Sequence, residues 1–526
     1  MKVFQHVNIV TCDQDFHVYL DGILAVKDSQ IVYVGQEKSE ILEQAGISRL
    51  ATLFSTFRNP DKETVLTPWR VVNLHLSDSL GGYCFMDERF EHPLETPRHI
   101  VRSGVTDRVF SPRSTVLEIN SKSGLYPLYA AYSIYRARLD EEWCKHNAIA
   151  PDRAKVLWEQ TLKENIFVVC KTPMAVAITK RTLCGFRTAE VHAKYYPDLI
   201  QSLTHSSQDV VSNLRDAKGF WGLNDKKEMK IDAIIGNPPY QVVVAQKETA
   251  NGQKRSSSVF QYFQELSDQL QPRYSSLIYP AVRWIHRSGK GMLNFGLKQI
   301  NDPHLARLHF YPQSNEVFRE VDITDGLSIV FKDREKQDTS FDYLYTQNGV
   351  TRSVRAQAPG ENMFVLDPEA APIGENIRRI TAKRFAFLHD AVLSQKLFSI
   401  ESDFVERNPD KVRPYKEGDI LAVDEIKLLT NDKSGSAGRA RWFIANEDVI
   451  STGNEYIHSW KVVVSSAHPG GHNRSNQLEV LDDRSAFGRS RVALKTFATE
   501  REARNFFAYC QTDFIRYTFL LTDESL

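Results

Sequence analysis

Hydrophobic positions change their spacing twice along the chain, and each change marks a different kind of structure. Over the first 45 or so residues, short apolar runs alternate with turn residues: Val3 to Thr11, Phe16 to Tyr19, a turn at Asp21-Gly22, Ile23 to Val26, and Ile31 to Val34. Runs of this length, rich in Val, Ile and Tyr, predict a small β-meander. From about Phe57 the runs become longer and almost wholly apolar: Thr115 to Ile119, Ile166 to Cys170, Ile231 to Ile235, Ser276 to Tyr279 and Leu327 to Phe331. Segments with helical spacing, such as Leu125 to Leu139, lie between them. Continuous apolar strands alternating with helices predict an α/β fold, a mostly parallel sheet covered by helices on both faces. In such sheets ligands sit past the carboxyl ends of the strands, so the residues after each run are the ones to inspect. Beyond Asp333 the pattern shifts again, with a turn-rich run at Ser434-Gly435-Ser436-Ala437-Gly438, short strands and an amphipathic helix near Glu500 to Tyr509. This last region reads as a separate, mixed α+β domain.

Length agrees with that division, because 526 residues exceed one ordinary core and a prior of about 150 residues per domain gives two to four. Charged residues at 25% beside 42% hydrophobic ones exclude disorder and coiled coil as the main description. No run approaches the roughly 20 apolar residues of a membrane-spanning helix, and the start MKVFQHVNIVTCDQD lacks the apolar segment of a signal peptide. A cytoplasmic location follows as the expectation. The six cysteines are scattered, with no CxxC and no paired Cys/His spacing, so buried free thiols are expected and no metal. Basic and acidic residues balance at 66 each, so a polyanionic partner would need a local basic cleft.

The sharpest chemical signal is Asn237-Pro238-Pro239-Tyr240, directly after the apolar run IDAIIG. Two prolines stop the strand and fix the backbone, which holds the Asn side chain and the Pro238 carbonyl in one orientation. An exocyclic amine has two N–H donors, and that amide oxygen and carbonyl can accept both. Tyr240 adds an aromatic face on which an extracted base can stack.

This tetrapeptide resembles the catalytic motif of amino-group DNA methyltransferases, and the chain from about 55 to 520 is similar to the γ-class adenine-N6 enzymes of the TaqI and Eco57I type. The resemblance implies a Rossmann-like S-adenosylmethionine-dependent methyltransferase domain over about 55–335 and a C-terminal target-recognition domain over 336–526. Thr67-Pro68, opening TPWRVVNLHLSDSLGG, corresponds to the segment leading into cofactor binding, and Glu118, Asn120, Ser121 and Gly124 to the first cofactor loop. Asp216 stands where an acid near the cofactor's adenine is expected, and Phe318 where a second aromatic wall of the base pocket is expected. Two departures stand out: Lys122 occupies a usual glycine position, and the second strand ends in Cys170-Lys171-Thr172-Pro173 without a carboxylate.

Residues 1 to about 46, VNIVTCDQDFHVYLDGILAVKDSQIVYVGQ in particular, resemble the opening strands of amidohydrolase-superfamily enzymes. The metal-binding His-x-His that such enzymes need occurs nowhere in the chain. This stretch therefore reads as a fused, non-catalytic segment.

Double-stranded DNA is the expected partner, with a restriction endonuclease as a second. Arg283, Arg287 and Lys290 flank the loop RWIHRSGKG, where a phosphate backbone could run. Arg441, His472, Asn473, Arg474 and Asn476 are candidate major-groove contacts in the C-terminal domain. Pro409-Asp410 with Glu425-Ile426-Lys427 matches a loose nuclease spacing that arises often by chance. His458, His468 and His472 read as loop residues. The alternatives to a DNA adenine methyltransferase are a catalytically inactive DNA-binding remnant, a hydrolase, and an enzyme with the same chemistry acting on RNA adenine or protein glutamine.

Overall fold

The computed structural model describes the backbone of residues 2–10, 18–27 and 30–36, and describes 66–146, 149–224, 227–243, 256–288, 291–381, 388–432, 440–468, 470 and 475–520. The N-terminal stretch is an antiparallel meander of β1 (Lys2–Val10), β2 (Val18–Lys27) and β3 (Gln30–Gln36). The turn expected at Asp21-Gly22 is absent. Gly22 lies inside β2 and pairs with Val7 on one side and Gln36 on the other, with register shifts on the β1 side. A Gly flanked by two partner strands is absorbed as a strand irregularity, which merges the two short runs expected here into one strand.

Contacts divide the chain into two units, Met1–Trp284 with Gly289–Gly360, and Ile285–Ser288 with Glu361–Leu526. The first is built on a nine-stranded sheet. Helix α1 (Trp69–Ser79) and a hairpin of β4 (Gly82–Met86) and β5 (Pro93–Ile100) precede it. The sheet then takes β6 (Val116–Ser121), and after helices α2 (Leu125–His146) and α3 (Pro151–Asn165) it takes β7 (Ile166–Cys170). Helix α4 (Pro173–Cys184), begun by Thr172, whose hydroxyl accepts from the Ala175 N–H, leads to β8 (His192–Tyr195). A connection through 199–232 reaches β9 (Ala233–Gly236), a small hairpin of β10 (Gln241–Val243) and β11 (Ser256–Ser258), and helix α5 (Phe260–Leu270). The remaining strands are β12 (Tyr274–Pro280), β13 (Leu305–Tyr311), β14 (Leu327–Asp333), β15 (Ser340–Gln347) and β16 (Val350–Gln357).

Their spatial order is β16-β15-β13-β14-β12-β9-β6-β7-β8. Strands β8, β7, β6, β9 and β12 are mutually parallel, and β14 enters antiparallel between β12 and β13. All five apolar runs expected as buried strands are strands of this sheet. The sheet also continues past residue 335, because β15 pairs parallel with β13 and β16 pairs with β15. Their alternating pattern, half-buried in β15 and mostly exposed in β16, carries too little apolar sequence to have announced membership of the core.

Helix α1 contributes the buried Trp69, Val72 and Leu76 to the same apolar cluster as Tyr126, Tyr129 and Val116. Its Asn73, fully buried, donates to the Trp69 carbonyl and accepts from the Phe85 N–H, tying the helix to β4.

The second unit holds a four-stranded sheet in which β17 (Val412–Pro414), β19 (Ala440–Asn446), β18 (Glu425–Asn431) and β22 (Ser485–Phe487) are neighbours in that order. A three-stranded sheet joins β21 (Glu479–Leu481), β20 (Trp460–Ser465) and β23 (Arg491–Phe497). The expected terminal helix is α6 (Glu500–Cys510), which opens on a reciprocal cap between Thr499 and Glu502. Among the described residues, no helix is long and apolar enough to cross a membrane.

Candidate active site

Among the strands that run parallel, the order reverses between β6 and β9: β7 and β8 lie outward on one side, and β12 lies beyond β9 on the other. At such a reversal the connections diverge and leave a crevice past the carboxyl ends. Both sequence signals end there. Glu118 of β6 pairs with Ile235 of β9, and Gly236 pairs with Leu277 of β12, so the chain emerges at Asn237 beside the end of β6.

The local backbone explains the residue choices. Gly236 has φ +150°, and a Cβ there would lie 3.5 Å from the Glu118 Cγ. A side chain would be strained at that φ, and the glycine lets β9 turn into the Pro-Pro segment. Asn120 takes the left-handed conformation at φ +70°, within a register shift between Ile119 and Ser121. Such an irregularity re-aims the side chains at a strand end. Gly124, at φ +74°, starts α2 with its missing Cβ only 3.0 Å from the Thr179 Cα, so backbone packs against backbone beneath the loop.

Three buried polar atoms at or just past the ends of β6 and β9 lack a hydrogen-bond partner: Glu118 Oε2, Asn237 Oδ1 and the Tyr240 hydroxyl. Burial pushes the Glu118 carboxyl up to about 8, against the opposing pull of Ser121 and Lys122, so it is protonated at neutral pH. Burial also raises Tyr240 far above an ordinary phenol. The Asn237 amide is held by its nitrogen, which donates to the Thr67 hydroxyl at 3.0 Å and leaves the oxygen unpartnered. Thr67 therefore does not cap α1 as a conventional helix start would. Pro68 occupies the N-cap with its carbonyl accepting from Val71 and Val72, and no side chain caps the helix.

A cavity of about 360 Å³ is lined by Asn237, Pro238, Pro239 and Tyr240 together with Phe318 and residues 321–325. Lys122 and Arg283 also line it. Phe318 is 4% exposed and belongs to an apolar cluster with Ile278 and Val317, against which Tyr240 packs. Arg283 is paired with Asp325 at 3.1 Å.

Behind the site runs a polar chain that the sequence did not announce. His75, fully buried, contacts the Tyr126 hydroxyl through Nδ1 and the Ser276 hydroxyl through Nε2, both at 2.8 Å. Ser276 donates to Ser79, and Ser79 donates to the His75 carbonyl. Ser276 has thus spent its proton, so His75 carries its own on Nε2 and accepts from Tyr126 at Nδ1. Burial holds this imidazole down to about 3, hence neutral.

The structure separates some candidates from the site. Asp216 ends the helix over 207–215 in an exposed turn, where its carboxylate accepts from the Gly219 N–H. The adjacent Arg215 reaches the Gln269 and Leu270 carbonyls, just before β12 starts, which places Asp216 at the amino ends of the strands, opposite the crevice. It is a turn residue because its side chain replaces a backbone acceptor there. The carboxylate that follows a parallel strand end on that flank is Asp198, left-handed at φ +49° three residues after β8. The signal for it was a Pro-Asp step after the short run His192 to Tyr195, too brief to stand out as a strand. Arg287 belongs to the second unit, with φ +58°, and donates to the Glu361 carbonyl. Arg441, on β19, pairs with Asp432, and Asn476 accepts from the Ser465 N–H through its carbonyl. Lys290, His472, Asn473 and Arg474 lie outside the described residues. Of the loosely nuclease-like set, Asp410 is exposed and Glu425 is engaged by Arg413 and the Ala422 N–H.

Sequence comparison now adds a family. Residues 164–318 match the Eco57I restriction-modification methylase family. That segment runs from just before β7 to Phe318 and includes the Asn237 turn. An adenine-specific methylase is also a homologue: a protein of Mycoplasma pneumoniae described as an uncharacterized adenine-specific methylase is 27% identical over 138 residues. The match takes in 26% of this chain and 31% of that relative, so the chain spans about a third of the relative's length. Solved structures similar to the chain include a type I restriction-modification methyltransferase subunit from Streptococcus thermophilus, with 10% identity, TM-score 0.33, and 66% and 60% of the two chains covered. Another is a nuclease-deletion mutant of the type ISP restriction-modification enzyme LlaGI in complex with a DNA substrate mimic, with 8% identity, TM-score 0.46, and 87% and 44% covered.

Proposed function

We propose that this chain is a DNA adenine-N6 methyltransferase of a restriction-modification system, using S-adenosylmethionine and acting on a base turned out of the duplex. The observation that carries this reading is the Asn237 amide, tied at its nitrogen to Thr67 while its buried oxygen stays unpartnered beside the cavity.

Adenine in a stacked duplex cannot reach atoms at the end of a buried strand, so it must be extruded. The cavity offers Tyr240 and Phe318 as aromatic surfaces for it. Asn237 Oδ1 and the Pro238 carbonyl accept the two N6 hydrogens, orient the nitrogen, and stabilise the positive charge that grows on it. Because Thr67 already occupies the amide nitrogen, the oxygen needs no reorientation when the base arrives. Bound S-adenosylmethionine supplies a methyl group on a sulfonium, an electrophile that requires no metal. The residues that would hold it are Glu118, Asn120 and Ser121 at the end of β6, with Gly124 allowing close approach of backbone. The unpartnered Glu118 Oε2 supports that fit. Protonated Glu118 can donate as well as accept there. Asp198 takes over the place expected for Asp216. The chain order, cofactor loop before Asn237 before a C-terminal domain, supports the γ-class reading. The second unit would read the duplex, and residues 1–46 would be a fused segment outside the chemistry.

Incubation with tritiated S-adenosylmethionine and unmethylated bacterial DNA tests the proposal. Label recovered as N6-methyladenine after digestion supports it; label absent from DNA sinks it.

A further inference from the structure

Tyr240 and Phe318, two aromatic residues lining the cavity, come from distant parts of the chain, and the start of α1 with the residues just before it holds both parts. Arg70, in the first turn of α1, donates Nε to the Phe90 carbonyl at 2.7 Å, Nη1 to the Val317 carbonyl at 2.7 Å and Nη2 to the Glu316 carbonyl at 2.9 Å. The last two carbonyls immediately precede Phe318. Arg70 also lies three residues after Thr67, the residue that holds the Asn237 amide. The segment it grips is fastened on its other side, where the Glu316 carboxylate accepts from the Asn348 and Gly349 N–H groups of the β15–β16 turn. A planar guanidinium making three bonds fixes direction as well as distance, which an ammonium cannot do.

We infer that Arg70 is a positioning residue that sets the spacing between Phe318 and the Asn237–Tyr240 segment, and thereby the width of the slot that takes the flipped base. The inference rests on the base-flipping reading given above. A slot of fixed width selects a flat ring, and a displacement of about 1 Å in such a site can cost about a hundredfold in rate. Arg70 itself touches neither base nor cofactor in this arrangement.

The test uses the full chain with Arg70→Ala, Arg70→Lys and Phe318→Ala, each measured three ways. Single-turnover methylation is followed on a duplex carrying the sequence that wild type methylates in bacterial DNA. Extrusion is followed by 2-aminopurine fluorescence at the target position, and amide hydrogen exchange is followed over residues 314–323. Arg70→Ala should slow methylation of paired DNA about tenfold or more, and a mismatch at the target should restore part of the rate, because unpairing is then already achieved. S-adenosylmethionine binding should stay within about threefold. Exchange should quicken in 314–323 and not in β6 or β9. Arg70→Lys should fall between Ala and wild type. Adding Arg70→Ala to Phe318→Ala should cost little more than Phe318→Ala alone, since both act on one wall. Unchanged exchange in 314–323, an unchanged rate on paired DNA, or fully additive losses would each overturn the inference. Should Arg70→Ala fail to fold, Arg70→Lys against Phe318→Ala decides by the same criteria. If wild type methylates no DNA, the proposed function fails, and the exchange comparison still decides whether Arg70 holds the segment.

Discussion

Two polar clusters sit at opposite ends of the same sheet, and they are satisfied in different ways. At the amino ends, Lys332 lies between Asp268 at 2.8 Å and Asp302 at 2.7 Å, and Asp268 accepts further bonds from Gln264 and Gln299. Every charge there has an opposite charge, and the unpartnered atoms beside it, Ser267 Oγ and Gln299 Oε1, are neutral. At the carboxyl ends, burial of the Glu118 carboxyl outweighs the pull of Lys122 and favours its protonated form, and two more buried polar atoms, on Asn237 and Tyr240 beside the cavity, have no hydrogen-bond partner. A buried polar group without a partner costs about 1–3 kcal/mol. The first arrangement spends its polar groups on tying α5 and Asp302 to β14; in the proposed reading the second keeps them for a ligand.

The comparison can be broken most directly at Asn237. Asn237→Ala should lower methyl transfer about a hundredfold or more, equivalent to about 3 kcal/mol in the transition state. Calorimetry should show cofactor binding within a few-fold of wild type, and the melting temperature should barely move. Lys332→Met should do the reverse. Two buried carboxylates lose their counter-charge, so stability should fall by about 3 kcal/mol in denaturant titrations, while the folded fraction retains its transfer rate.

Glu118→Gln sharpens the contrast through pH. The carboxyl titrates near 4.5 when unfolded and near 8 when folded, so the folded state binds the extra proton between those values. Stability contributed by that proton is present below about pH 4.5 and is lost as pH rises toward 8. Gln cannot ionise, so the variant should gain on wild type by about 1 kcal/mol or more at pH 8 and by nothing at pH 4, as thermal melts would show. A constant difference across that range would mean that Glu118 is ionised in the folded protein. The smallest effect is expected for Tyr240→Phe. Removing an unpartnered buried hydroxyl should stabilise the fold by a few tenths to about 1 kcal/mol, and methyl transfer should survive because the aromatic face remains.

What the sequence made legible follows the same division. The five buried strands were plain because strands covered on both faces must be apolar throughout, the antiparallel β14 included, and Asn237 to Tyr240 were plain because two prolines after such a strand have little other use. Thr67 was legible as part of the segment leading into cofactor binding, but its contact was not, since only the fold brings it to Asn237, 170 residues away. Asp216 misled because an acid at the right distance in sequence belongs to a turn at the other end of the sheet. Arg70 and His75 were invisible for a related reason. One bonds only to backbone carbonyls and the other only to hydroxyls, and neither kind of partner leaves a pattern in sequence.

The reach of Arg70 has a consequence for how the protein comes into being. Its most distant partner, Val317, is 247 residues further along the chain, and at about 5–20 residues per second a ribosome needs roughly 12–50 s to cover that interval. Until then α1 has no loop to hold, the wall carrying Phe318 does not exist, and Thr67 waits for an amide that is synthesised only part-way through the delay. A nascent chain therefore emerges without a working crevice, and the crevice closes only after most of the first unit has been made.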